Sequence, residues 1–192
     1  MSTNGAVQLG AAAAIAALLA GCGDQGGQSD NGKSAEDVLR SETVAAAKKE
    51  PWPGEGTGDV EVADDPTRDN YVVVLDMSGS MANAECAGEF RDKAEAARHS
   101  LGTWMKSVPE DSNLGLIVFQ DGENETKVKL GVRNRERFRE AVNDTLATGG
   151  TPLTEGVRKA AGELTRQGRR QQGYGRYRMV LITDGQANDG HD

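Results

Sequence analysis

Four apolar residues in a row, Val72–Leu75, follow Tyr71 and give way within one step to the polar stretch Asp76, Met77, Ser78, Gly79 and Ser80. A run this short and uniformly apolar predicts a strand buried on both faces. Two more runs have the same form: "NLGLIVFQD", Asn113–Asp121, and "YRMVLITDG", whose apolar run Met179–Ile182 ends in Thr183, Asp184 and Gly185. "ETKVKLGV" instead alternates like an edge strand and pairs with Asn113–Asp121 through the turn "DGEN". Between these runs the apolar period lengthens. Ala94, Ala97, Leu101, Trp104 and Met105 predict a helix over roughly Phe90–Lys106, Arg135–Leu146 a second, and Leu153–Leu164 a third.

Apolar strands separated by helices predict an α/β fold: a doubly wound, mostly parallel open sheet, Rossmann-like, with helices on both faces. Such sheets bind ligands outside the carboxyl ends of their strands. Asp76–Ser80 and Thr183–Gly185 both fall at carboxyl ends, so the fold can bring them together. With a side-chain period of two, Asp76, Ser78 and Ser80 point one way, and Gly79 lets the backbone curl around what they face. Together with Asp184 they form a hard, all-oxygen set suited to Mg²⁺, which takes one or two carboxylates and keeps several waters. Softer metals would call for Cys or His.

The first third of the chain is built differently. Ala6–Ala20, "AVQLGAAAAIAALLA", carries no charge and is short for a bilayer span, which takes about 20 apolar residues, but has the length of a signal-peptide core. "LLAGC", Leu18–Cys22, resembles the lipobox of bacterial lipoproteins. That resemblance implies cleavage after residue 21 and diacylation of Cys22, giving a lipid anchor that holds the protein at the cell envelope, outside the cytoplasm. Met1–Leu9 departs from the pattern in having no Lys or Arg. Gly23 in place of aspartate implies the outer membrane in a host with two membranes.

There are two cysteines, and an acylated Cys22 forms no disulfide. Cys86 then has three fates: a bond to another chain, a buried thiol, or a bond to a cysteine beyond residue 192. Residues 22–69 read as the lipidated cysteine and a flexible tether, with a short capped helix in "SAEDVLRSETVAAAKKE". Two prolines beside Trp52 break any helix there, and Trp52 either docks on the domain or stays exposed.

"DMSGS" resembles the D-x-S-x-S motif of von Willebrand factor type A domains, "GGTPL" at Gly149–Leu153 their threonine loop, and "ITDG" at Ile182–Gly185 their second aspartate. All three lie in the family's order. The resemblance covers Asn70–Asp192 and implies a metal-ion-dependent adhesion site in which Asp76, Ser78, Ser80, Thr151 and Asp184 bind a divalent cation, Mg²⁺ first, with Mn²⁺ or Ca²⁺ as substitutes. The partner it implies is a protein that offers an acidic side chain to the metal, and no catalysis. Set against the family's strand order 3-2-1-4-5-6, residues 70–192 form the first two thirds of a domain, a fragment lacking two further strands.

Two other readings compete. A phosphohydrolase of haloacid dehalogenase type would use Asp76 as nucleophile, with Asp184 and Asp189 nearby, but that class places an aspartate as general acid where this chain has Ser78. A structural lipoprotein with a vestigial site would have lost some of the five side chains. The Arg-rich stretch Thr165–Arg178 reads as a solvated loop, and His99 as a helix-surface residue without a metal role. A formal charge of −8 argues against nucleic acid as a partner.

Overall fold

In the computed structural model, which describes residues 52–54 and 60–185, the first apolar run lies in the centre of β1, Asp69–Asp76, all eight of whose residues are buried. A strand buried on both faces needs cover on both, and alternate side chains enter two separate cores. Tyr71, Val73 and Leu75 join one core with Leu114, Leu116 and Val118, while Val72 and Val74 join the other with Ile117 and Phe119. Each fully buried Val or Leu contributes about 1.5–3 kcal/mol relative to exposure, so this alternation anchors the sheet.

The remaining elements follow in chain order. After a 3₁₀ turn, Gly79–Ala82, come α1, Lys93–Met105; β2, Asn113–Gln120; β3, Glu123–Gly131; α2, Arg135–Asn143; α3, Leu153–Arg170; and β4, Arg176–Ile182. The sheet order is β3-β2-β1-β4. β1 pairs in parallel with β2 and β4, and β3 closes antiparallel on β2. Asp121 and Gly122 both take positive φ in the two-residue link from β2 to β3, the geometry of a primed hairpin turn. Helices α1 and α2 cover the first core through Ala94, Ala97, Leu101, Met105, Phe138 and Val142, and α3 covers the second through Ala160 and Leu164.

Several sequence-based boundaries shift. α1 starts at Lys93 rather than near Phe90 because Asp92 caps it, its Oδ1 accepting from the Glu95 N–H at 2.7 Å. α2 ends at Asn143, short of Leu146.

Of the Arg-rich stretch, only residues 171–175 form a loop. Thr165–Arg170 completes α3, because Gly156, Ala160, Leu164 and Gly168 recur at four-residue steps and keep one face buried. Arg176 and Arg178 belong to β4, where both bind the Asp69 carboxylate, at 2.6 and 3.2 Å. Gly168 is where Trp52 docks: a Cβ there would stand 2.5 Å from the indole, and Trp52 also meets the Tyr177 ring edge-on at 4.4 Å between centroids.

Residues 60–68, within the stretch assigned to the tether, also lie against this unit. The Ala63 N–H donates to the Arg170 carbonyl at 2.8 Å, and Gln171 Nε2 to the Arg68 carbonyl at 2.9 Å. Cys86 is exposed, which corrects the buried-thiol option. The signal segment, Cys22, the capped helix of the tether and Asp189 lie outside the described residues. Among the described residues no helix is long and apolar enough to cross a membrane.

Candidate metal centre

β1 and β4 pair in parallel with Leu75 opposite Ile182, so the residues that follow them leave the sheet side by side. The Thr183 hydroxyl donates to Asp76 Oδ2 at 2.7 Å, and the Ser78 backbone N–H donates to Oδ1 at 2.8 Å. Asp76 and Ser78 are buried at 0% and 1% exposure, so these two donors hold the carboxylate in one orientation. A carboxylate offers about four lone-pair directions, and each oxygen keeps one to spare.

Ser80 reaches the same place by a different route from the extended alternation expected of it. The chain is extended only to Ser78, at φ −67° and ψ 167°, and then coils through Gly79–Ala82. Beneath the loop, Met77 and Met81 are both fully buried in the first core and pin the two ends of the turn to it. The turn sets Ser80 Oγ 3.1 Å from Ser78 Oγ.

The loop before α3 is stitched to this one through the backbone. Thr148 N–H donates to the Met77 carbonyl at 2.8 Å, Gly79 N–H to the Gly149 carbonyl at 2.9 Å, and Asp121 N–H to the Thr148 carbonyl at 2.9 Å. Gly149 sits at φ +79° and passes so close to the β2–β3 turn that a Cβ there would stand 2.5 Å from the Asp121 carbonyl carbon. Two residues on, Thr151 is buried at 2% exposure beside the start of α3. That start is drawn onto the sheet by Gly156, where a Cβ would come 3.3 Å from the Val74 and Phe119 side chains. The small residue brings the helix end close to the carboxyl ends of the strands.

Asp184 follows β4 directly. Its side chain is 3% exposed, with Oδ2 paired to Lys93 Nζ at 3.1 Å, while Oδ1 is buried and has no hydrogen-bond partner. A buried carboxylate oxygen left unpaired is costly, about 1–3 kcal/mol and more when charged. Lys93 is the first residue of α1, placed there by the Asp92 cap. The hydrogen bond from the Glu95 amide holds the Asp92 carboxyl below its ordinary value.

Asp76, Ser78 and Ser80 are thus joined by hydrogen bonds, Asp184 leaves the neighbouring strand, and Thr151 lies in the loop bonded to Gly79. Among the described residues no three His, Cys, Asp or Glu side chains converge, which leaves two carboxylates and hydroxyls as the donor set. That set, with one buried oxygen lacking a partner, fits a hard divalent cation that keeps part of its water shell. His99 is exposed on α1 with its ring 5.0 Å from that of Phe90.

Two members of the cluster escaped the sequence reading. Thr183 was placed only as a strand end, and Lys93 was not considered. A faint signal for Lys93 existed: a cation at the first position of a helix opposes the helix dipole.

Comparison with known proteins follows the same lines. A family model described as von Willebrand factor type A domain matches residues 71–186. Among solved structures, the chain is similar to the crystal structure of the SpRpn10 VWA domain, at 20% identity and a TM-score of 0.47, over 64% of this chain and 63% of that one. It is also similar to an uncharacterized membrane spanning protein from Vibrio fischeri, at 25% identity and a TM-score of 0.42, over 50% of this chain and 49% of that one. The chain therefore spans less than two thirds of either structure. No curated protein matches it.

Proposed function

Because the chain belongs to the von Willebrand factor type A family, a family of protein-interaction modules, we propose that it is a membrane-anchored binding module that holds a divalent cation, Mg²⁺ foremost, and recognises an acidic protein ligand there. The observation that carries this reading is the unpaired, buried Asp184 Oδ1 at the end of the strand that pairs with the one ending in Asp76. Asp76, Ser78, Ser80, Thr151 and Asp184 would hold the ion. A bound Mg²⁺ supplies an electron-poor coordination position that attracts a ligand carboxylate.

The chain's own residues do the rest. Thr183 and the Ser78 amide keep Asp76 oriented, and the buried methionines keep the serines from swinging away. The site calls for no catalysis. Ser78 stands where a phosphohydrolase of the rival class needs a carboxylic acid, and a serine hydroxyl does not protonate a leaving group near neutral pH. Diacylation of Cys22 would anchor the module, since two acyl chains hold a protein on a bilayer where one is marginal.

Calorimetric titration of the unlipidated chain with Mg²⁺ and Mn²⁺, beside Asp76→Ala, tests the metal. Heats of binding present in the parent and absent in the variant, without phosphate release from aryl phosphates, support the adhesion-type site. Equal heats in both proteins, or metal-dependent phosphate release, refute it.

A further inference from the structure

A cation of the protein itself reaches the candidate metal centre. Lys93 Nζ lies 3.1 Å from Asp184 Oδ2, with only 16% of the lysine side chain and 3% of the aspartate side chain exposed. Lysine is among the residues most seldom buried, and an ammonium withdrawn this far from water needs a reason to stay. Helix stability does not supply one, because Lys93 is the first residue of α1, where the dipole repels positive charge. The cap on this helix is made by Asp92 and Glu95, so Lys93 takes no part in it.

What the ammonium does is neutralise Asp184 where hydrogen-bond donors are lacking. It serves one oxygen of that carboxylate and leaves the other, buried, without a partner. The arrangement is half of what a carboxylate requires.

We propose that Lys93 is the resident counter-ion of the metal-free cup, and that divalent binding is an exchange in which the ion displaces the ammonium from Asp184. The inference rests on the metal reading above and adds its regulation. The exchange has two consequences. Metal affinity is set below what the five ligands alone would provide, because the incoming ion competes with a positive charge already on one of them. The metal-free domain, in return, does not carry an uncompensated buried carboxylate, whose exposure would otherwise loosen the end of β4. The site therefore tolerates being empty and fills only when the divalent ion is abundant.

The experiment compares the parent chain with Lys93→Gln and Lys93→Arg, by calorimetric Mg²⁺ titration and by thermal unfolding with and without Mg²⁺. Lys93→Gln is expected to bind Mg²⁺ at least tenfold more tightly than the parent. Its melting temperature is expected to fall without metal and return to the parent's at saturating Mg²⁺. Lys93→Arg keeps the charge and should stay near the parent in both readouts. Binding that appears only in Lys93→Gln also supports the exchange, with the lysine outcompeting the ion in the parent. Mg²⁺ binding in the parent that is unchanged or weaker in Lys93→Gln overturns the exchange and leaves the metal reading standing. Absence of binding in every variant overturns both.

Discussion

Gly149→Ala is the perturbation whose size the structure defines best. Gly149 has φ +79°, a conformation that costs a residue with a Cβ about 1–2 kcal/mol. The new methyl would stand 2.5 Å from the Asp121 carbonyl carbon and the Gly122 nitrogen, backbone atoms that no rotamer change can move. Overpacking of this kind costs about 1–3 kcal/mol, so the variant should lose about 2–5 kcal/mol in total. Gly162 is the control: it is exposed within α3 and a Cβ there meets nothing within 4 Å, so Gly162→Ala should gain about 0.5–1 kcal/mol from reduced backbone freedom in the unfolded chain. Urea unfolding followed by circular dichroism measures both. The two variants should differ by about 2.5–6 kcal/mol, in opposite directions from the parent. A difference within about 0.5 kcal/mol, the usual range for surface changes, would refute the packing of the threonine loop against the β2–β3 turn.

Two further outcomes are expected. Asn70→Ala removes the hub of a buried amide network, since Asn70 Nδ2 donates to Gln171 Oε1 at 2.7 Å and Asn70 Oδ1 accepts from Asn113 Nδ2 at 2.7 Å. Stranding those two buried amides should cost about 3 kcal/mol in urea unfolding, and adding Asn113→Ala should cost less than the sum of the singles; strict additivity would contradict a coupled network. For the anchor, the full chain expressed in a bacterium should partition into detergent while Cys22→Ser stays in the aqueous phase. Equal partitioning of the two would exclude acylation at that sulfur.

The pattern of polar and apolar residues was enough to define the strands, their parallel pairing and helices on both faces, because burial on both sides leaves a continuous apolar run and burial on one side leaves a period of two. The line-up of Asp76 and Asp184 at neighbouring strand ends was legible for the same reason: a parallel sheet puts all its carboxyl ends at one edge. Helix ends were less legible. α3 runs past Leu164 through a segment whose arginines and glycine suggest a loop, and its buried face there includes Gly168, against which Trp52 packs from more than a hundred residues away in sequence.

The sequence by itself determined the kind of fold and the oxygen-rich residues at its strand ends, since both follow from local periodicity and side-chain chemistry. Only the tertiary structure decided how those oxygens are held and what balances their charge. Ser80 is aimed by two methionines entering the core beneath it, Asp76 by a hydroxyl from another strand, and Asp184 is met by a lysine from a distant helix. Each of these depends on distances between residues far apart in the chain, and a one-dimensional pattern carries no information about such distances until packing sets them.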